Sequence, residues 1–242
     1  MSEKWLTTKV VENRRWTDTL FSLRVEGAQL NFQAGQFVRI ALDIDGQRVA
    51  RAFSFVNPPQ DPTLEFYGVI VPEGPLSPRL AKLRVGDALY VAPNPAGFLV
   101  LSEVPEAETL WLISTGTGLA PFLSILRTDP PWKRFKNIVV VHAVRHANEL
   151  AYRDMIQRTQ ARYVSFVSRE AAPGSLAGRI PAAIADGRLE KAAGIALDPA
   201  TSHVMLCGNP QMLKDVQTVL TARGMRKHRR RTPGHITVES FW

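Results

Sequence analysis

The hydrophobic rhythm of this chain changes once, near residue 108, and that change constrains the fold more than any single motif. Before it, residues 20–25, 36–42, 47–56, 64–71 and 88–92 are short alternating runs bounded by turn residues, and each reads as a strand. Asp45-Gly46 between two of them is a tight hairpin signal. A helix is expected where Ser77-Pro78 supplies an N-cap and a first helical residue. Several short strands at this spacing imply a barrel or a sandwich. After the change, continuous apolar strands at 109–114, 137–142, 162–167 and 202–207 alternate with helical patterns at 121–127, 149–160, 180–186 and 210–223. That alternation implies a parallel sheet covered on both faces. The sequence therefore predicts a two-domain β + α/β protein, with domains over residues 1–102 and 108–242 joined by the polar segment Glu103-Val-Pro-Glu-Ala-Glu108. A chain of 242 residues is long for one core and suits two.

Composition narrows the class. The hydrophobic fraction of 45% is that of a globular protein, and 21% charged residues are too few for a disordered one. No apolar run approaches the roughly 20 residues that span a bilayer, and the first residues lack the apolar stretch of an export signal. A single cysteine, Cys207, excludes an intrachain disulfide, so a cytoplasmic location is expected. Five scattered histidines and one cysteine offer no metal-ligand set. The formal charge of +8 is compatible with nucleic acid, an acidic protein or phosphorylated ligands. Its densest run, Arg226-Lys-His-Arg-Arg-Arg231, precedes an ordered-looking tail and is embedded in no nucleic-acid module.

Three stretches carry chemistry. Thr115-Gly-Thr-Gly-Leu-Ala-Pro121 lies between a strand's carboxyl end and the next helix, where open parallel sheets bind nucleotides. It departs from the dinucleotide fingerprint at Pro121, so alone it is a moderate signal. Cys207-Gly-Asn-Pro-Gln-Met212 is a second turn of the same kind. An NAD site generally places an acid after the next strand; here that strand ends in His142-Ala-Val-Arg145, with no acid before Glu149. Arg145, Arg169 and Arg179 follow successive elements and, taken together, form a cage for a 2′-phosphate, although each alone is also a plain surface arginine. The third stretch, Arg51-Ala52-Phe53-Ser54, places a guanidinium and a ring on one strand face and a hydroxyl on the other. It suits a flat anionic cofactor, or else is ordinary barrel wall.

With these motifs stand Trp16-Thr-Asp-Thr-Leu-Phe-Ser22, Ala34-Gly-Gln-Phe37, Gly74-Pro-Leu-Ser-Pro-Arg-Leu80, Val167-Ser-Arg-Glu170, Gly178-Arg-Ile-Pro181 and Pro233-Gly-His235. Nearly end to end, the chain resembles bacterial ferredoxin/flavodoxin–NADP+ reductases, most closely the subgroup with a C-terminal tryptophan. The resemblance implies an antiparallel FAD-binding β-barrel followed by a parallel-sheet NADP-binding domain whose aromatic tail returns to the flavin. It further implies that Arg51 and Ser77 bind the FAD pyrophosphate beside Ala52, Pro75 and Leu76. Phe53 would cover a flavin face, Ser54 would bond near the reactive nitrogen, and Tyr67 and Val69 would line the ring. Thr117 would touch flavin and nicotinamide, and Trp242 and Phe241 would stack on the adenine and beside the isoalloxazine. Val144, Arg145, Ser168, Arg169 and Arg179 would hold the 2′-phosphate end of NADP, and Asn209, Pro210, Gln211 and Asp215 would meet its other parts. Cys207 and Glu239 match positions that assist hydride transfer with Ser54, although Cys207 also reads as a small buried residue and Glu239 as an exposed carboxylate. Phe53 and Phe241 stand where the family usually has tyrosine. Each keeps the ring and loses a hydroxyl, a hydrogen bond worth about 1 kcal/mol, so potential or affinity should differ from that of relatives.

The implied chemistry is hydride exchange between NADPH and FAD, and single electrons to a separate acidic carrier, ferredoxin or flavodoxin. A monomer is expected, with no membrane or nucleic acid involved. An alternative keeps the scaffold and changes the acceptor: an NADPH-dependent flavin reductase or the reductase component of an oxygenase. A basic nucleic-acid-binding protein is the alternative from another class.

Overall fold

Two sheets of six strands each divide the chain in the computed structural model, which describes residues 4–240. The first contains β1 (Leu6–Arg15), β2 (Leu20–Glu26), β3 (Phe37–Ile44), β4 (Gln47–Ser54), β5 (Leu64–Val69) and β6 (Ala88–Val91), in the order β4-β3-β6-β1-β2-β5. Every pairing in it is antiparallel. An antiparallel bridge from Phe55 to Phe66 joins the two edges of this sheet and closes it around Phe21, Leu23, Ile40, Phe66, Leu89 and Val91, all fully buried. The five expected strands are all present. The sixth, β1, is not legible in the sequence. It is largely polar, burying only Thr8 and Val10, and a bulge between Val10 and Glu12 breaks its alternation. It is held by pairing on both sides and by the Thr8 hydroxyl, which donates to the Leu89 carbonyl at 2.7 Å.

The short helix α1 (Ser77–Leu80) corrects one local expectation. Ser77 is its first helical residue and not its cap, and the Ser77 hydroxyl accepts the Val71 N–H at 2.9 Å instead.

The second sheet contains β7 (Thr109–Thr115), β8 (Asn137–Val144), β9 (Arg162–Val167), β10 (Leu176–Ala177), β11 (Ser202–Gly208) and β12 (Ile236–Ser240). Its order is β10-β9-β8-β7-β11-β12, parallel throughout. After β7 the chain first travels to one side through β8, β9 and β10, then crosses to the other side for β11. The strand order therefore reverses between β7 and β11, and open parallel sheets bind ligands beyond the carboxyl ends of such a pair. The chain also forms α2 (Ala120–Leu126), α3 (Pro130–Arg134), α4 (Arg153–Gln157), α5 (Ile180–Ala185), α6 (Arg188–Ala193) and α7 (Pro210–Ala222). Ile184, Leu189, Val216 and Leu220 from the last three pack on Trp111, Val139, Phe166 and Leu206 of the sheet.

The expected helix over 149–160 is broken. Residues 147–149 form a 3-10 turn, Tyr152 is left-handed at φ 60°, and only Arg153–Gln157 is α-helical. Glu149 closes the preceding loop with its carboxylate, so it ends one turn and does not begin a helix. Residues 120–128 group with the barrel and not with the parallel sheet. Arg127 explains the grouping. It bonds the Val56 carbonyl at 3.3 Å and the buried Glu65 carboxylate at 2.8 Å, while the Ser124 hydroxyl donates to the Asn57 carbonyl at 2.7 Å.

Candidate active site

On the barrel, β4 ends in Arg51-Ala52-Phe53-Ser54, paired with β3 so that Arg51 lies opposite Ile40, Phe53 opposite Val38 and Ser54 opposite Phe37. The Arg51 guanidinium is exposed and bonds the Ala50 carbonyl at 2.7 Å. Phe53 is half-buried and meets Phe66 edge-on, with ring centroids 6.4 Å apart. Gly68 on β5 makes this placement feasible. A Cβ there would sit 2.7 Å from the Phe21 ring and 3.0 Å from the Phe53 ring, so the two rings occupy space that any other residue would fill. The hydroxyl of Ser54 is buried without a hydrogen-bond partner among the described residues. Such a group costs free energy unless a ligand satisfies it. Tyr67 is buried beside Gly68, Val69 half-buried, and Leu76 buried in front of α1. Exposed Pro75 gives its carbonyl to Arg79 at 2.8 Å. Ser77, having accepted the Val71 N–H, still has its own proton to donate. A buried hydroxyl, a half-buried ring and an exposed guanidinium that is in no ion pair among the described residues fit a flavin dinucleotide.

On the parallel sheet, the two glycine turns extend from the carboxyl ends of β7 and β11, the neighbouring strands at the switch point. They are in backbone contact. A Cβ on Gly118 would lie 2.6 Å from the Cys207 carbonyl oxygen, and one on Gly208, at φ 132°, would lie 2.3 Å from Thr115 Oγ1. Only glycine allows that approach. The Thr115 hydroxyl then accepts the Asn209 N–H at 2.9 Å and ties the turns together. Asn209 caps α7, its side-chain oxygen accepting the N–H groups of Gln211 and Met212, with Pro210 as first helical residue. Gln211 and Asp215 bond one another at 2.7 Å. Of these side chains, Asn209 and Gln211 therefore already have protein partners. Thr117, half-buried, lies in the 3-10 turn 116–119 that precedes α2.

His142 is a site-shaping residue that sequence reasoning did not single out. It is fully buried on β8, its Nε2 lies 3.1 Å from the Gly116 carbonyl, and its Nδ1 is buried without a partner among the described residues. Burial pushes its pKa down to about 4, against a smaller upward pull from Gly116. The ring is therefore neutral near pH 7 and pins the glycine turn by donating Nε2–H. The only sequence signal was an isolated polar residue in an apolar strand.

Cys207 and Glu239 lie opposite one another in the β11–β12 register. The thiol is fully buried, and burial, with the Glu239 charge adding to it, pushes its pKa well up. Burial thus favours the neutral thiol over the thiolate at this position. Glu239 is half-buried and not a freely exposed carboxylate.

At the far side of β7, Arg145, Ser168, Arg169 and Arg179 follow or flank β8, β9 and β10, and all four are exposed. Val144, buried, ends β8, and its carbonyl accepts the Ser168 N–H at 3.1 Å and hydroxyl at 3.2 Å. Among the described residues none of the three guanidiniums is in an ion pair, and Glu149, the first acid after Arg145, spends its carboxylate on the backbone N–H groups of Arg145 and His146. Phe241 and Trp242 lie outside the described residues. No cluster of metal-ligating side chains occurs among the described residues.

A barrel with an unsatisfied ring-edge hydroxyl and a parallel sheet with two nucleotide turns define a flavin- and nicotinamide-dependent oxidoreductase. Family models agree: residues 6–97 match the oxidoreductase FAD-binding domain and residues 112–218 the oxidoreductase NAD-binding domain. Flavodoxin/ferredoxin–NADP reductases of Shigella flexneri and Escherichia coli are each 53% identical over 245 residues, covering 98% of this chain and 99% of theirs. A crystal structure of a ferredoxin NADP+ reductase from Neisseria gonorrhoeae, with bound FAD and NADP, superposes with a TM-score of 0.96 at 32% identity, covering 99% of both chains. The chain belongs to the flavodoxin/ferredoxin–NADP reductase family.

Proposed function

We infer that this chain is an FAD-dependent oxidoreductase that exchanges hydride with NADPH and single electrons with ferredoxin or flavodoxin. The identity of 53% across 98% of the chain carries the reading. The buried, unpartnered Ser54 hydroxyl supports it at the level of the site. Bound FAD would supply the conversion between two-electron and one-electron chemistry.

The protein's part is binding and orientation. Phe53, backed by Gly68 and Phe66, offers a ring to stack on, and Ser54 offers a hydroxyl to the flavin edge. Arg51 and Ser77 hold the pyrophosphate beside Ala52, Pro75 and Leu76, while Tyr67 and Val69 line the ring. The linked turns at Thr117 and at Asn209–Asp215 receive the nicotinamide half of NADPH. Cys207 remains a neutral S–H, and Glu239 in register with it is the only carboxylate we assign there. Arg145, Ser168, Arg169 and Arg179 beyond Val144 hold the 2′-phosphate, which supports NADPH over NADH. By family resemblance Phe241 and Trp242, which lie outside the described residues, are assigned to FAD binding. The protein acts as a cytoplasmic monomer with no nucleic-acid partner. Among the described residues no helix is long and apolar enough to cross a membrane.

Purified protein reconstituted with FAD should show flavin absorption that NADPH bleaches faster than NADH, and should then reduce ferredoxin or flavodoxin. A protein that does not retain FAD, or that reduces free flavin and neither carrier, would sink this reading and in the second case favour the flavin-reductase alternative.

A further inference from the structure

Two carboxylates stand beside the arginine cage without pairing with it. Beyond the ends of β8 and β9 the backbone ladder continues: the Ser168 N–H donates to the Val144 carbonyl at 3.1 Å, and the Arg169 N–H to the Arg145 carbonyl at 3.0 Å. Arg145 and Arg169 are thereby held on adjoining strands. The loop that follows Arg145 is folded back by the carboxylates. One oxygen of Glu149 accepts the N–H groups of Arg145 at 2.8 Å and His146 at 3.1 Å. Glu170, next to Arg169, accepts the Ala147 N–H at 2.7 Å with one oxygen, and its other oxygen lies 3.3 Å from His146 Nδ1. Glu170 thus ties the Arg169 loop to the Arg145 loop across the gap between the strands.

The arrangement is informative because the easier alternative did not form. An acid beside an arginine commonly pairs with it, which would neutralise the guanidinium and hold it away from a phosphate. Among the described residues neither Glu149 nor Glu170 pairs with Arg145, Arg169 or Arg179. The Ala147 N–H and then the His146 ring hold the Glu170 carboxyl below the usual carboxylate range, so it stays ionised and bonded at neutral pH. The phosphate ligands keep their charge, and the carboxylates fix the backbone from which they extend.

We propose that Glu170, with Glu149, is a positioning residue for dinucleotide specificity: it locks the Arg145 and Arg169 loops together so that both guanidiniums are preorganised for a 2′-phosphate. The proposal rests on the reading of Arg145 and Arg169 as ligands of that phosphate. Preorganisation of this kind improves binding by reducing the ordering cost, so it should act on the phosphorylated dinucleotide and leave the unphosphorylated one alone.

The test compares the FAD-loaded wild type with Glu170→Ala, Glu170→Gln and Arg169→Ala. It measures kcat and KM with NADPH and with NADH, and calorimetric binding of adenosine 2′,5′-bisphosphate and 5′-AMP. Glu170→Ala should lower the NADPH-to-NADH ratio of kcat/KM about 5- to 10-fold, the size of one lost hydrogen bond. The change should lie in the KM for NADPH, with a matching loss for the bisphosphate and none for 5′-AMP. Glu170→Gln should stay near wild type, because its amide oxygen still accepts the Ala147 N–H. An unchanged ratio in Glu170→Ala, an equal loss with both dinucleotides, or tighter NADPH binding in both variants would overturn the proposal. If Arg169→Ala collapses the ratio and Glu170→Ala does not, only this proposal fails. If Arg169→Ala leaves the ratio intact, the phosphate reading fails and takes the proposal with it.

Discussion

Ser54 and Gly68 show how single residues divide the work between stability and function. The Ser54 hydroxyl is buried and has no hydrogen-bond partner among the described residues, so removing it removes a desolvation cost. Ser54→Ala should melt no lower than wild type without FAD, while flavin reduction by NADPH slows about tenfold, the equivalent of one hydrogen bond lost near the reaction. Calorimetry of the apoprotein and stopped-flow reduction of the holoprotein check the two halves, and a lower melting temperature would show that the hydroxyl has a protein partner. Gly68→Ala should behave in the opposite way. Its Cβ would fall 2.7 Å from the Phe21 ring, which is fully buried and has nowhere to move. A loss of about 1–3 kcal/mol in denaturant unfolding, together with weaker FAD retention as Phe53 is displaced, is the expected outcome. At this scale the side-chain types of the Arg51–Ser54 stretch were legible as a cofactor strand or as barrel wall, and the sequence alone did not choose between them. Gly68 was not legible, because its significance lies in two rings distant in sequence that converge on it. Nor was Glu170, whose partner in the next loop no spacing rule identifies.

At the level of elements, legibility followed burial. Strands with both faces covered, such as β7 and β8, are continuous apolar runs, and the structure contains them within a residue or two of expectation. β1 escaped because only two of its residues face the core, and β12 because five residues at a tail carry too little pattern. Residues 149–160 have helical composition, yet Glu149 bonds backwards to Arg145 and the chain restarts at Tyr152. A side chain's choice of backbone partner overrides propensity there. The buried helix α2 carries its own prediction. Arg127 meets Glu65, whose side chain is 11% exposed, at 2.8 Å, and Asp61 at 3.6 Å. Arg127→Ala removes the contacts to Glu65, to Asp61 and to the Val56 carbonyl together, so it should cost about 2 kcal/mol. The double variant Arg127→Met with Glu65→Gln should recover part of it. Urea unfolding of both variants measures this, and equal losses would mean that packing of α2, and not the ion pair, fixes the helix.

At the scale of the whole molecule, two buried histidines contribute to the response to acid. Unfolded histidine titrates near 6.5, whereas His142 is held at about 4 by burial. His203 is held at about 3 by burial and then by its neighbours His228, His235 and Arg134. Between those values the unfolded chain binds protons that the folded one refuses. Their contribution is complete above about pH 6.5, declines as pH falls, and reaches its limit near pH 4 for His142 and near pH 3 for His203. For His142 the loss is on the order of 3 kcal/mol. Glutamine at 142 keeps a donor for the Gly116 carbonyl and does not titrate, so His142→Gln should lose less stability than wild type between pH 7 and pH 4.5 in urea titrations. An identical slope would place the acid sensitivity elsewhere.

The excess of positive charge makes a second prediction at this scale. Five of the six residues 226–231 are arginine or lysine, and they occupy the connection between α7 and β12. The segment is fixed, not a free arm. Arg229 and Thr232 exchange backbone hydrogen bonds at 2.8 and 3.1 Å, and the rings of His228 and His235 accept the N–H groups of Gly234 and Arg226. Within it Arg230 is committed to Glu103, each side chain holding the other through contacts of 2.6–2.9 Å. Arg229 and Arg231 have no such partner among the described residues. If the run steers an acidic carrier, charge reversal at 229 and 231 should slow carrier reduction at low salt and flatten its dependence on ionic strength, because steering between exposed charges is screened within about 10 Å at 0.1 M salt. Reduction of a neutral quinone should be unaffected, and Arg230→Ala should change carrier reduction less than either reversal. Equal losses with carrier and quinone, or a salt dependence that survives in the double reversal, would place the docking surface on another part of the molecule and leave the basic hairpin without a role in it.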